Sequence, residues 1–193
     1  MYAGVTAATC NELYPTNRPI EIPNTTELCN SFFVVRYNNT VRASVATFEV
    51  VRPSSGTKLA RVNNFHPDRR VNNPVFPSLY TQSGYDKGHM TPAGDANTPE
   101  EMSETFAMTN MTPQEPTLNR VSWRELEEYI RHAVNKTNVA TKVATIAVYD
   151  KSTTNFGIPV PTGYFKVAYF ASGTEVYYAD NIVNSKVSRA PLS

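Results

Sequence analysis

The sequence predicts an α+β domain built on a mixed, largely antiparallel central sheet with helices packed against it. Two β-branched and aromatic runs, SFFVVRY (31–37) and ASVATFEVV (43–51), precede a helical stretch, and KVATIAVY (142–149), GYFKVAYF (163–170) and TEVYYA (174–179) follow it. Between them, from Asn119 or a little earlier to about Asn135, Trp123, Leu126, Ile130, Ala133 and Val134 recur at helical spacing and form one apolar stripe. Strands on both sides of a helical insert favour this class over a repeating βαβ unit.

Taken in order, the elements have local causes. Asn38-Asn39-Thr40 separates the first two runs and marks a hairpin. Residues 60–80, ARVNNFHPDRRVNNPVFPSLY, are rich in proline and asparagine and predict an irregular, surface-exposed segment. Thr98-Pro99-Glu100-Glu101 is a capping box with proline at the first helical position, so a helix is expected from there to about Met108. Trp123, Leu126 and Ile130 are core candidates, and Tyr177 and Tyr178 read as strand packing.

No repeat, low-complexity tract or linker divides the 193 residues, so a single domain over 1–193 is expected. A hydrophobic content of 40% with 18% charged residues is globular. The formal net charge of +1 argues against a protein that coats nucleic acid, but not against an enzyme with a local positive cleft. No apolar run reaches the roughly 18–20 residues of a membrane span. MYAGVTAATCNELYP lacks a basic start followed by an apolar core, so no signal peptide is expected in this chain. The two cysteines, Cys10 and Cys29, favour a disulfide closing a loop of about 20 residues, worth roughly 3 kcal/mol. With it comes an oxidising compartment, secreted or periplasmic; two free thiols are the alternative. Asn-x-Thr sequons at Asn24, Asn38, Asn110 and Asn135 are compatible with secretion.

The densest chemistry lies in GYDKGHMTPAGD (84–95) and NMTPQEPTLNRVSWRELEEYIR (110–131). The first puts His89 in a tight turn with Asp86, Lys87, Gly88 and Pro92. Phosphodiester hydrolysis needs a base for water, positive charge on the phosphoryl oxygens and help for the departing 3′ oxygen. A neutral imidazole supplies the base, and Asp86 or a backbone carbonyl is expected to orient it through the other ring nitrogen. A histidine base also predicts that turnover falls below about pH 6. The Asn119 carbonyl oxygen suits a hard ion such as Mg²⁺ that keeps most of its waters. On an ideal helix Glu127 lies about 12 Å further along the axis and about 80° around it. Glu127 is therefore expected to hold a metal-bound water rather than the ion. Arg131, one turn on, is expected to orient Glu127 or to contact phosphate.

These motifs resemble the DNA/RNA non-specific endonucleases of the ββα-metal superfamily. GYDKGHMTPAGD is similar to their Asp-Arg-Gly-His signature, and residues 109–131 to their Asn-x-x-Pro-Gln…Asn…Trp…Leu-Glu helix. RVNNFHPD (61–68) resembles a segment carrying an arginine for the scissile phosphate, and PVPTGYFKV (159–167) a downstream strand; the likeness covers roughly residues 29–170. It implies His89 as general base and Asn119 as the sole direct protein ligand of one Mg²⁺, with Mn²⁺ as a substitute. It further implies Glu127 on a metal-bound water, Arg61 stabilising the pentacoordinate phosphorane with Arg131 in support, and Asn110 shaping the site from behind. A ββα-metal catalytic element would span about residues 86–134.

Two departures stand out. Lys87 replaces the family's usual arginine and lacks its planar fork, and VYDKSTTNFG (148–157) stands where a glycine-containing turn is usual. Simpler roles remain open: Asn119 as a helix N-cap, Glu127 and Arg131 as a solvated ion pair, Arg61 as a surface arginine, His66 and His132 as structural or solvent-facing. The expected activity is Mg²⁺-dependent, sequence-tolerant cutting of DNA and RNA by a monomer off the membrane. The alternatives are a duplex-selective DNase, or a catalytically weak or inactive nuclease-fold module that binds nucleic acid or a protein inhibitor.

Overall fold

In the computed structural model, residues 10–54, 56, 59–150 and 155–191 are described. A seven-stranded sheet runs β1 (Thr26–Cys29), β2 (Phe33–Asn38), β3 (Ala43–Val51), β6 (Thr141–Val148), β7 (Gly163–Phe170), β8 (Gly173–Asp180), β9 (Ser188–Ala190), and every pairing in it is antiparallel. β4 (Asp86–His89) and β5 (Met111–Gln114) form a second, two-stranded antiparallel sheet. The long connection between β4 and β5 carries α1 (Pro99–Thr105). A π-helical turn over Leu118–Trp123 leads without a break into α2 (Arg124–Thr137), which Asn138 ends in the left-handed conformation (φ 55°).

Alternation along each strand sorts the large sheet into two apolar faces. Val51, Val143, Ala147, Tyr164, Ala168, Tyr177 and Ala179 meet Leu118, Trp123, Leu126, Ile130 and Val134 of the helix. On the opposite face Val34, Ala46, Phe48 and Ala144 are covered by Cys10, Leu13 and Tyr14. A third cluster packs Phe33, Val35 and Tyr37 of β2 against Ala93, Ala96, Met102 and Phe106. This cluster supports the connection between β4 and β5 and so sets where the small sheet sits.

Several expectations need correction. Asp86-Lys87-Gly88-His89 is a strand rather than a turn, because its backbone pairs with β5. The 60–80 segment is irregular but not wholly exposed: Asp68, Val71, Val75 and Tyr80 are buried in it. Helix α1 stops at Thr105, short of Met108; the Phe106 ring is buried and His66 pairs with Ala107. Thr98 caps it as expected (Glu101 N–H to Oγ1, 3.2 Å), whereas the Glu101 carboxylate turns to Arg52 and the Asn97 N–H. The edge strands β1 and β9, four and three residues long, are too short for an alternation pattern to show in the sequence. Of the unusual 148–157 segment, residues 151–154 lie outside the described residues.

The Cys10–Cys29 disulfide forms, with a sequence separation of 19, and ties the segment covering the outer face to β1. Reduction, or Cys10→Ser, is expected to lower stability by about 3 kcal/mol through the entropy of the opened loop. Denaturant unfolding with and without reductant measures this, and superimposable curves would show that the link adds nothing.

Candidate active site

His89 sits on β4 opposite Met111 of β5. Its ring stands edge-on to Phe106 (centroids 4.9 Å apart) and 5.8 Å from Phe65. The residue is half-buried, but Nε2 is shut off from solvent and bonds to no described residue. Burial among these rings, with the Arg61 cation nearby, pushes its pKa from 6.5 down to about 3. It is thus not the exposed turn histidine expected. The strands approach closely at Gly88, where an added Cβ would lie 2.4 Å from Gln114 Oε1 and 2.5 Å from Gln114 Cβ. Lys87 places Nζ 4.8 Å from the Phe65 centroid and 5.9 Å from that of Tyr80. The lysine in place of arginine therefore packs beside the strand on aromatic faces.

The expected Asp86–His89 bond does not form, since residues three apart on a strand point to opposite faces. Asp86 instead accepts from Asn119 Nδ2 (2.8 Å), Arg120 Nε (2.8 Å) and Arg120 Nη2 (2.6 Å). Burial raises its pKa, but the bonds from Arg120 and Asn119 outweigh that and hold it below the usual carboxylate value. An ionised carboxylate only accepts, so it fixes the Asn119 amide with its nitrogen toward Asp86 and leaves Oδ1 without a hydrogen bond to a described residue. Glu115 caps this helix start, its Oε2 accepting from the Leu118 N–H (2.9 Å) and the Thr117 hydroxyl (2.5 Å). Asn119 is thus not the cap. A π turn advances less angle per residue than an α-helix, because its bonds close over i→i+5. The offset of about 80° expected for an ideal helix therefore shrinks, and Asn119 rotates toward the face of Glu127.

Glu127 makes no ion pair with Arg131. The Arg131 Nη1 bonds Asp95 Oδ1 instead (2.9 Å) and lies over Gly94, where a Cβ would come within 2.9 Å of the guanidinium. Burial pushes the Glu127 pKa up to about 7, opposed by Lys166 and Arg131, with Asp95 adding to the rise. Beneath lie Glu49 and Lys166, both about 1% exposed. Lys166 Nζ donates to Thr145 Oγ1 (2.6 Å), while the Glu49 carboxyl has no hydrogen-bond partner among the described residues. Burial, then the charge of Asp95, pushes Glu49 well above the usual carboxylate range.

Arg61 is exposed, its Nε held by Asn63 Oδ1 (2.8 Å) and its guanidinium 5.0 Å from the Phe106 centroid. Its charge acts on both His89 and Glu127, so the three converge. Asn110 is fully buried: Oδ1 accepts from the Thr91 N–H (3.0 Å), and Nδ2 donates to the carbonyls of Thr91 and Thr105 (2.9 Å each). It stitches the chain leaving His89 to α1 and is sealed from any glycan. His66 Nδ1 bonds its own loop at Asn64 O (2.8 Å) and His132 is exposed on α2; neither joins the site. Sequence reasoning missed Asp95, Arg120, Gln114, Glu49 and Lys166. Asp95 ends the histidine motif and Arg120 adjoins Asn119, so their places were signals; Glu49 and Lys166 sit in ordinary strand patterns.

The described residues contain no group of three or more His, Cys, Asp or Glu side chains that could hold a metal. A cage of three or more His, Cys, Asp or Glu ligands is thereby excluded among them. What fits is a hard ion that keeps its waters, met by the free Oδ1 of Asn119 and by Glu127, whose carboxylate makes no hydrogen bond to a described residue.

The family model described as DNA/RNA non-specific endonuclease matches residues 14–191. A nuclease of Nostoc sp. is 45% identical over 80 residues, 39% of this chain and 29% of that protein. Nuclease C1 of Cunninghamella echinulata var. echinulata is 32% identical over 165 residues, 75% of this chain and 65% of its own. Mitochondrial endonuclease G of Bos taurus is 28% identical over 153 residues, 70% and 51%. The chain thus spans less than two thirds of each of these relatives. In a solved structure of an EndoG/EndoGI complex, one chain aligns with a TM-score of 0.81 at 25% identity, covering 97% of this chain and 88% of that one.

Gly88→Ala should cost about 1–3 kcal/mol by overpacking against Gln114, measured by chemical denaturation; an unchanged midpoint would mean the strands can separate freely. Because its pKa is depressed, His89 contributes stability present above its ordinary 6.5 and lost as pH falls from there toward about 3. Glu127 runs oppositely: raised from 4.5 to about 7, its contribution is present below 4.5 and lost as pH rises through 7. His89→Gln should therefore unfold with a shallower acid dependence than wild type. Parallel stability–pH curves would put the ring in solvent.

Proposed function

We propose that this chain, which belongs to the DNA/RNA non-specific endonuclease family, hydrolyses phosphodiester bonds of DNA and RNA with little sequence preference. The observation that carries the reading is the convergence of a half-buried His89 imidazole, an Asn119 whose amide nitrogen is held by Asp86, a Glu127 with no hydrogen bond to a described residue and an exposed Arg61. A Mg²⁺ ion, with Mn²⁺ as substitute, when bound through Asn119 and through a water on Glu127, would supply Lewis-acid relief of charge on the phosphoryl and 3′ oxygens.

The side chains divide the remaining tasks. His89 accepts the proton of the attacking water at Nδ1, the ring nitrogen that is not shut off from solvent. A ring with a pKa near 3 is a weak base in the free protein. An arriving phosphate adds negative charge beside a ring whose basicity burial and Arg61 depress, and so raises it. Arg61 donates to the non-bridging oxygens as negative charge grows on them in the transition state. Arg131, braced by Asp95, adds positive charge from the helix side. Asp86 holds the Asn119 amide in one orientation, and Asn110 holds the end of β4. Lys87, on Phe65 and Tyr80, keeps its packing without arginine's fork, so its presence does not favour an inactive module.

The Cys10–Cys29 disulfide supports action in an oxidising compartment, secreted or periplasmic. The partners are DNA and RNA; a protein inhibitor is a further candidate, since the EndoG structure is of an EndoG/EndoGI complex and concerns EndoG inhibition.

The first test is nicking of supercoiled plasmid with Mg²⁺ and with EDTA. Wild type should cut only with metal, and His89→Ala should lose roughly 10²–10⁴-fold; undiminished cutting by the variant would remove the base. Asn119→Ala should raise the Mg²⁺ concentration for half-maximal rate, and an unchanged titration would move the ligand elsewhere. The fall in activity near pH 6 expected for an ordinary histidine does not belong to a ring of pKa about 3. Burial raises the Glu127 carboxyl above its ordinary range, so an acid limb of kcat/KM is expected to report Glu127 and to vanish in Glu127→Gln. Its persistence there would assign it to another group.

A further inference from the structure

Beside the candidate centre lies a cleft of about 320 Å³, whose lining includes Arg52, Ser54, Arg61, Asn97, Arg131 and Asn135. Asp95 is the single carboxylate in its wall, and Arg131 already engages it. Arg61 pairs with an amide rather than an acid. Arg52, just beyond β3, stands 5.5 Å from the Phe32 centroid with its side chain 35% exposed. Its partner is Glu101 of α1, behind the wall, which takes the fork at Nη2 only (2.6 Å). The Nε of Arg52 is buried without a partner among the described residues, so it is the guanidinium end, not Nε, that remains partly exposed. Asn135 Oδ1 accepts the Ser54 N–H (2.8 Å), which leaves its amide N–H groups to donate.

We propose that this cleft is a second phosphate subsite in which Arg52, with Asn135, binds the phosphate of a nucleotide next to the scissile one. This rests on the nuclease reading above. The cleft offers donors and positive charge with little acid, so it suits an anion. Three guanidiniums in one cleft match a polyanion rather than a single ion. Glu101 fixes the Arg52 fork before substrate arrives, which lowers the entropy lost on binding. Arg52 then contributes to holding the strand, while the proton transfer and the charge relief stay with His89 and Arg61.

The test compares wild type with Arg52→Gln and Arg52→Lys on two probes, a twelve-nucleotide single-stranded DNA and the one-phosphate dinucleoside thymidylyl-thymidine. Binding of the longer probe is read by anisotropy in EDTA across salt concentrations, and cleavage of both is read with Mg²⁺. R52Q should weaken binding of the longer probe roughly tenfold, as expected for one charge-assisted contact. Its log Kd–log salt slope should fall by about 0.7, one phosphate on a single strand, while R52K keeps the slope. Cleavage of the one-phosphate probe should suffer far less than cleavage of the longer one. Equal losses on both probes, or an unchanged salt slope, would overturn the subsite and leave Arg52 a structural partner of Glu101. If R52Q does not fold, Asn135→Asp reads the subsite from its other donor while keeping the bond from the Ser54 N–H: weaker binding of the longer probe supports the subsite and unchanged binding refutes it. Wild type that binds in EDTA but never cuts would sink the nuclease reading and leave the subsite standing.

Discussion

The carboxylate of Asp86 is the joint on which the candidate site depends. It belongs to β4, the strand that carries His89, yet it grips Asn119 and Arg120 in the π turn. Three donors converge on one ionised acceptor, and such charge-assisted bonds are short and directional. A rigid strand of four residues thus separates the base candidate from the contact that orients the metal candidate. Neither element would be placed by its own propensity, because a four-residue strand and a π turn are both weak structures alone. The Arg120 ion pair is exposed and adds little to overall stability. Its value is orientational: it holds Asp86 ionised and in place.

Close approach is the second constraint. Gly88 lets Gln114 lie against β4, and Gly94 lets the Arg131 guanidinium rest on the backbone beside Asp95. Both are glycines because neighbours occupy the space of a side chain, not because the turn needs an unusual φ. Asn110 then closes the remaining backbone groups of the bend, as buried amides must be closed. The result is a half-enclosed imidazole with no spare freedom, which suits a base that must meet a water in one geometry.

Under the site, the inner face of the sheet carries charge where apolar packing would be cheaper. Glu49, Asp95 and Glu127 face Lys166 and Arg131 in a region of low dielectric. Buried charge of this kind is weak evidence for stability, and its position beneath Glu127 ties it to the site rather than to the core. Burial, opposed by Lys166 and Arg131, raises the Glu127 pKa to about 7, in contrast to a surface carboxylate on a helix.

The candidate site residues could be picked out in the sequence, because glycines, a histidine and amides at fixed spacing leave few other uses for that pattern. The antiparallel sheet, its hairpin and the long helix were legible too, since period 2 and period 3.6 are local properties of the chain. The tertiary structure alone decided who holds whom. Asp86 turned to Asn119 rather than His89, and Arg131 to Asp95 rather than Glu127. Both partners come from elsewhere in the chain, and helical or strand spacing counts only neighbours on the same element. The π turn was likewise hidden, since its apolar spacing differs from that of an α-helix by less than one residue per turn. The basicity of His89 was beyond sequence altogether. It is set by Phe65, Phe106 and Arg61, three groups brought together by packing, and desolvation has no signature in the order of residues.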